Sequence, residues 1–317
     1  MGGGISTPEL AAAVSNAGGL GMLATGGLPP EQIRAQIRRT RQLTDRPFGV
    51  NLLLPMYLPG QTEVCIEERV ALLSFFWGDA APHVPAAQAG GLKVMVQVGS
   101  VDEAQAARDA GVDVIVAQGV EAGGHVRGSI GALVLVPLVV EAVRPLPVVA
   151  AGGIADGRGV AAVLMLGAAG AALGTRLLAS EEGAAHRDYK ERILRARAED
   201  ALHTTLFDLG WPEAPHRVLR NSVIADWEAA GCPPPGQRPQ EDEVIGQGEF
   251  GDMCFPVSRY TAMPPSVRFA GDVEKTALYA GQSCGLINDL RPAAVIIEDI
   301  ARDAEAHLRN LPKEICR

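Results

Sequence analysis

The residue best placed by type and spacing to do chemistry is His125. It closes the run Gln118-Gly119-Val120-Glu121-Ala122-Gly123-Gly124-His125, which follows an apolar, β-branched stretch from Val112 to Ala117. That stretch reads as a strand, and the glycine-rich run after it as a loop. Ligands of parallel α/β proteins sit at the carboxyl ends of strands, so reactive groups gather at such junctions. Gly123 and Gly124 let the backbone approach a flat ligand closely. Imidazole exchanges a proton near neutral pH without a large pKa shift. The plain alternative is a solvent-exposed histidine beside a turn.

A second group of residues points to a phosphate. Two later strand candidates, Pro147 to Ala151 and Ala169 to Leu173, end in Gly152-Gly153-Ile154 and Gly174-Thr175. In eight-fold barrels the loops after strands seven and eight commonly bind phosphate through backbone N–H groups. Ordinary turns that need glycine would look the same. No G-x-G-x-x-G opens a helix after a strand, so a Rossmann dinucleotide site is not supported. A phosphate at these two ends, with a glycine-lined loop after the preceding strand, suggests a phosphorylated planar cofactor, and FMN fits. His83, His186, His203, His216 and His307 have no paired acids nearby in sequence and read as structural or surface residues. Glu181-Glu182 reads as a pair of solvated acids at a helix start. No His, Asp and Glu cluster has metal-ligand spacing.

The elements that must hold these residues alternate. Ser6-Thr7-Pro8-Glu9 starts a helix through Ala17, and Leu20 to Leu23 forms a short strand. A helix from Pro29–Pro30 to Gln42, the strand Phe48 to Leu54 and a helix over Val64 to Val70 follow. Next come the strand Ala71 to Phe76, a short helix near Pro85 to Ala89, the strand Lys93 to Val98 and the helix Val101 to Ala110. Beyond the His125 loop, helices from about Leu133 to Val143 and through Leu166 alternate with the last two strands. This beat predicts parallel βαβ units. The count is seven strands, one short of a closed (β/α)8 TIM-type barrel, and the chain opens on Met1-Gly2-Gly3-Gly4 with no strand before its first helix. The first strand is therefore expected to be missing from this chain, through a truncated or mis-assigned start. The same opening residues fit a loose myristoylation pattern, which a glycine turn before a helix cap explains equally well.

After Glu182 the texture changes to a charged helix, Ala185 to Ala201, and Pro- and Gly-rich loops. The expected organisation is a barrel of residues 1–182 plus 276–317, with a smaller helical lid over 183–275. The tail Val295 to Leu311 carries apolar residues at helical spacing and packs back on the barrel. The 317 residues suffice for such a core, and a net charge of -9 argues against nucleic acid or an anionic membrane surface as partner. Five scattered cysteines, Cys65, Cys232, Cys254, Cys284 and Cys316, form no C-x-x-C pair and fit a reducing cytoplasm. No apolar run approaches the ~20 residues of a membrane span.

Several motifs together resemble a known family. Gly-Val-Glu-Ala-Gly-Gly-His at 119–125, Ala-Ala-Gly-Gly-Ile at 150–154, Leu-Gly-Thr-Arg at 173–176 and Ala-Gly-Gln-Ser at 280–283 look like the nitronate monooxygenases. These were formerly called 2-nitropropane dioxygenases and are related to FMN-dependent enoyl-acyl-carrier-protein reductases. The resemblance runs from Met1-Gly2-Gly3 to the final helix. It implies an FMN-bound barrel in which Asn51, Gln118, Gly123, Gly153, Gly174 and Thr175 contact FMN and His125 takes the catalytic position. Gly124, Gly152, Ala172 and Leu173, in the same motifs, complete the flavin-facing set with the backbone of Met1 and Gly2. Ala172 stands where many members carry glutamine, and the family's strand before the Met-Gly-Gly turn is absent.

The activity so implied is oxidation of alkyl nitronates, such as propionate 3-nitronate, by dioxygen to a carbonyl compound and nitrite, in a cytoplasmic protein expected to form a homodimer. FMN carries the electron transfer, while the protein holds the nitronate and stabilises its charge. A neutral nitroalkane would also need a base, for which His125 is the candidate. Two alternatives remain: an NAD(P)H-dependent flavin reductase of the same fold acting on quinones or enoyl thioesters, and a catalytically silent flavin- or phosphate-binding module. Tyr279, Gln282 and Ser283 are candidates to reach the site from the returning segment.

Overall fold

The computed structural model describes residues 1–310, and the counts below refer to these. Pro8, in the first turn, starts α1 (Pro8–Asn16) earlier than its apolar spacing alone suggests. The alternation then runs through β1 (Gly21–Ala24), α2 (Pro30–Leu43), β2 (Phe48–Leu53), α3 (Gln61–Glu67), β3 (Leu72–Phe76), α4 (Val84–Ala89), β4 (Lys93–Val98), α5 (Val101–Asp109) and β5 (Val114–Gln118). After the two-residue β6 (Gly124–His125) come α6 (Ala132–Val143), β7 (Val148–Ala151), α7 (Gly157–Met165), β8 (Gly170–Ala172) and α8 (Thr175–Leu178). Local chemistry sets several starts. Ser100 Oγ accepts from the Glu103 amide at 3.2 Å, and Asp156 Oδ1 from the Gly159 amide at 3.0 Å, each satisfying an orphan donor of its helix.

The strands pair in parallel in the order β1-β2-β3-β4-β5-β7-β8, a seven-stranded sheet curled into a half-barrel. The strands β2 to β5 bury an apolar row: Val50, Leu73, Val94 and Ile115 are inaccessible to solvent. Burying a side chain of that size stabilises by ~1.5–3 kcal/mol, so the wall rests on residues local in sequence. Among the described residues β1 and β8 do not pair with each other, which leaves the barrel open where the eighth strand was expected. Ser6 lines part of that edge: Ala24 N donates to its carbonyl at 3.2 Å and its hydroxyl donates to Met22 O at 2.6 Å.

Residues 183–275 differ from the expected helical lid. They hold α9 (Arg187–Arg195) and α10 (Ser222–Ala229), but also β9 (Ala201–Thr204), β10 (His216–Leu219), β11 (Val244–Phe250), β12 (Met253–Ser258) and β13 (Ala270–Gly271). The strands form two antiparallel three-stranded sheets, β6-β10-β9 and β12-β11-β13. The charged helix expected to reach Ala201 stops at Arg195, because Asp200 turns back to accept from the Arg197 amide at 2.8 Å. The strands of this cover escape notice in sequence because they are short and paired over long separations. α11 (Ala293–Arg309) packs on α7 and α1, and Glu182 Oε2 accepts from the Ala293 amide at 2.7 Å at its start. Glu182 is thus a helix cap, where sequence suggested a solvated acid. Cys65 and Cys284 are buried, Cys232 and Cys254 exposed, and Cys316, like the expected end of the tail helix at Leu311, lies outside the described residues.

Candidate active site

Parallel pairing turns all seven strand ends to one rim, and the residues singled out in the sequence lie along it. Asn51, in β2, donates from Nδ2 to Ser74 Oγ on β3 at 3.2 Å. Gln118 ends β5 and donates from Nε2 to the carbonyl of His125 at 3.1 Å, while its Oε1 is buried with no partner. Gly152 and Gly153 follow β7 with φ of 99° and 74°, a left-handed pair that side chains with a Cβ enter only under strain. Ala172 and Leu173 end β8 and lead through Gly174 into Thr175 at the start of α8. Met1 packs in the same apolar cluster as Leu10, Leu177 and Leu173. A Cβ built on Gly2, Gly124 or Gly174 would meet nothing within 4 Å, so the rim is open at these places.

Three of the sequence motifs are joined here. Gly123 lies so close to the Ala280–Gly281 backbone that a Cβ on it would stand 2.3 Å from Gly281 N. That amide donates to Thr175 Oγ1 at 3.0 Å. The threonine hydroxyl therefore holds the returning 280–283 segment and leaves the backbone at Gly174 and Thr175 for a ligand. Glu121 lies beside Gly153 and accepts from the Ala132 amide at 2.9 and 3.0 Å, capping α6.

His125 sits in an aromatic box. Its ring stacks on Trp211 at 3.9 Å between centroids, 23° from parallel. Trp77, His216 and Tyr279 approach it at 5.9, 5.4 and 5.4 Å. His125 Nε2 is buried and has no hydrogen-bond partner. Burial, helped by the neighbouring His216, holds its pKa down at about 3, so the ring is neutral throughout the neutral range. His216 is also neutral: its Nδ1 lies 2.8 Å from Ala214 O and its Nε2 accepts from the Phe207 amide at 3.3 Å. Burial is the main cause of its depression to about 4.

Sequence reading placed His216 among the structural histidines, and both its ring nitrogens are indeed held by the backbone. What it missed is that His216 pairs directly with His125 across β10 and β6. Tyr279 returns to this region and donates its hydroxyl to Ala262 O at 2.9 Å, and Gln282 N donates to Glu121 O at 3.0 Å, while Ser283 is buried in the returning segment. Trp77, Trp211 and Arg217 were not anticipated. Trp77 follows β3 directly, with φ of 64°, and the strand-end rule that found His125 applies to it too. Arg217, buried, donates to Val120 O at 2.8 Å and Ala201 O at 2.7 Å, tying the His125 loop to the cover. His83, His186, His203 and His307 are not in the aromatic box.

A parallel half-barrel with glycine turns at one rim and a buried imidazole unpartnered at Nε2 among them is the framework of an α/β-barrel enzyme with its site at the strand ends. The chain belongs to the nitronate monooxygenase family, whose model matches residues 1–71 and 56–303. It is 35% identical to a nitronate monooxygenase of Pseudomonas aeruginosa, across 95% of this chain and 93% of that protein. It is 31% identical to a (3aS,4S,5R,7aS)-5-hydroxy-7a-methyl-1-oxo-octahydro-1H-indene-4-carboxyl-CoA dehydrogenase of Mycobacterium tuberculosis, with 97% and 92% covered. Among solved structures, FabK of Thermotoga maritima is similar with a TM-score of 0.81 and 36% identity, covering 98% of this chain and 93% of that one. These relatives are oxidoreductases, and so is this chain. No described helix is long and apolar enough to cross a membrane.

Proposed function

We propose that this protein is an FMN-dependent nitronate monooxygenase that oxidises alkyl nitronates with dioxygen to carbonyl compounds and nitrite. The observation that carries the reading is His125, neutral and unpartnered at Nε2, at a rim open over Gly2, Gly124 and Gly174. FMN fits the residues present. The backbone at Gly152, Gly153, Gly174 and Thr175 would hold the phosphate. Gln118 offers an unpartnered side-chain oxygen, and Asn51, Gly123, Ala172, Leu173 and the Met1–Gly2 backbone would line the rest. When bound, FMN supplies the electron transfer from nitronate to dioxygen that no side chain here can perform.

The chain's own work is binding and orientation. A nitronate already carries its negative charge, so no proton need leave carbon. A neutral imidazole offers one hydrogen bond to a nitronate oxygen and adds no competing charge. A ring whose pKa is near 3 is a weak base, which argues against His125 deprotonating neutral nitroalkanes and favours nitronates as substrates. In net balance, two nitronates and one dioxygen give two carbonyl compounds and two nitrites. Association into a homodimer and residence in the cytoplasm belong to this reading.

The similarity to FabK keeps one rival in view, an NAD(P)H-dependent reductase on the same framework. The test is to purify the yellow protein, with its flavin band near ~450 nm, and add propionate 3-nitronate in air. Oxygen uptake with nitrite release and no nicotinamide is expected, at a rate nearly constant from pH 6 to 9, since His125 does not titrate there. Turnover that waits for NADH or NADPH establishes the reductase instead.

A further inference from the structure

The indole of Trp211 is the closest ring to His125, and the substrate has to share that space. Trp211 is itself buried and meets Trp77 edge-on at 5.3 Å, so the two indoles wall one side of the imidazole. It lies on the connection between β9 and β10, which has no regular structure to hold it. What holds it is a set of hydrogen bonds from elsewhere in the cover. Arg238, its side chain 2% exposed, donates from Nη1 to Leu206 O at 2.9 Å and to Asp208 Oδ1 at 2.7 Å. Asp208 in turn accepts at its carbonyl from the Trp211 amide at 3.0 Å, and Leu209 N donates to Tyr260 O at 3.1 Å. The Arg238 guanidinium lies over the Tyr260 ring, 4.3 Å from its centroid, so its two anchors for the segment are themselves stacked.

We propose that Trp211 determines which substrates fit, by covering one face of the His125 ring so that only short, flat nitronates reach the imidazole past it, and that Arg238 is the positioning residue that keeps the indole there. The proposal rests on the nitronate reading for its substrate class, but the placement of the indole does not. A flat wall 3.9 Å from the imidazole leaves no room over the face it covers. A branched or long chain on the nitronate carbon must displace the indole, and the Arg238–Asp208 bond resists that. This bond is charge-assisted and largely shielded from water, so it is a firm tie on an otherwise irregular loop.

The test compares kcat/KM across nitronates from ethyl to hexyl in the flavin-loaded enzyme and in Trp211→Ala, Trp211→Phe, Asp208→Asn and Arg238→Gln. Trp211→Ala is expected to raise the hexyl-to-ethyl ratio by ~10-fold or more, as removing a packed wall of this size does. Trp211→Phe, which keeps a flat ring, should restore most of the original ratio. Asp208→Asn and Arg238→Gln should give intermediate ratios, expressed mainly in KM. A second readout needs no turnover: the NMR signal of the His125 ε1 proton, assigned by its loss in His125→Ala, is displaced by the stacked indole. Trp211→Ala should abolish the displacement and the two clamp variants should reduce it, with the signal titrating at higher pH as water reaches the ring. An unchanged length preference in Trp211→Ala overturns the specificity role. An unmoved His125 signal in both clamp variants overturns the positioning role and leaves Arg238 a merely structural residue. Should the enzyme prove a reductase, the NMR readout stands and the length series is run with quinones of increasing side chain.

Discussion

The barrel wall and the cover above it are held together by opposite means. The wall is apolar and local: Val50, Leu73, Val94 and Ile115 pack between successive strands and the helices that join them. The cover is stitched by buried charge. Arg259, its side chain 1% exposed, reaches Asp226, Gln240 and Glu243, while Arg238 reaches Asp208 and Glu241. Tyr260 lies between the two guanidiniums. The difference has a physical reason. The cover buries small apolar clusters of its own, around Tyr189 and Ile193 and around Phe207, Val218 and Ile224, but the long loops between them are fixed by donors that reach several carbonyls and carboxylates at once. It has a functional side as well, because the same stitching places Trp211 against His125.

Breaking one tie on each side sharpens the comparison. Leu73→Ala in the wall should cost ~2–5 kcal/mol, depending on how far the cavity collapses. Arg259→Ala removes a buried guanidinium whose partners Asp226 and Glu243 are both reached by water, with Lys275 still paired to Glu243, and is expected to cost ~1–3 kcal/mol. The distinguishing result is where the damage falls in native-state hydrogen exchange. Arg259→Ala should raise exchange in the cover and leave β2 to β5 protected, while Leu73→Ala should lower protection throughout. Equal, global loss in both variants would show that wall and cover unfold as one unit.

An effect that builds with each pH unit is expected from acid. His125 and His216 are neutral in the folded protein, held at about 3 and about 4, against an unfolded value near 6.5. The unfolded chain therefore binds more protons between these values, and stability falls as pH drops below about 6.5. The slope is at most ~1.4 kcal/mol per pH unit for each ring, and it is absent above pH 7. Urea titrations at pH 4.5, 5.5, 6.5 and 7.5 check the sign. His216→Gln should flatten the fall by about half without changing stability's independence of pH above neutrality.

How much of this was legible in the sequence follows the same division. The seven strands and the helices between them were readable because each is written in a few adjacent residues, such as the β-branched run before Gln118 or the helix start at Ser6-Thr7-Pro8-Glu9. The strand before the His125 loop was placed at Val112 to Ala117 and runs Val114–Gln118, a small shift that moves Gln118 from the loop to the strand's last position. The cover was read as helical because its charged helix is its strongest local signal. Its strands are two to seven residues long, and the partners of Arg238 and Arg259 lie up to thirty-three positions away. In sequence such arginines look like a solvated surface. The same limit applies at the site. The glycine turns and His125 announce themselves by spacing, whereas Trp211 and His216 reach the imidazole only through a register between β6 and β10 that no local pattern encodes.

The central claim is that this chain passes electrons from a nitronate to dioxygen with no nicotinamide. An anaerobic titration of the flavin-loaded protein with propionate 3-nitronate tests it most directly. The account predicts loss of the band near ~450 nm on adding nitronate alone, and its return when air is admitted. A band that ignores nitronate and disappears only with NADH or NADPH would contradict it.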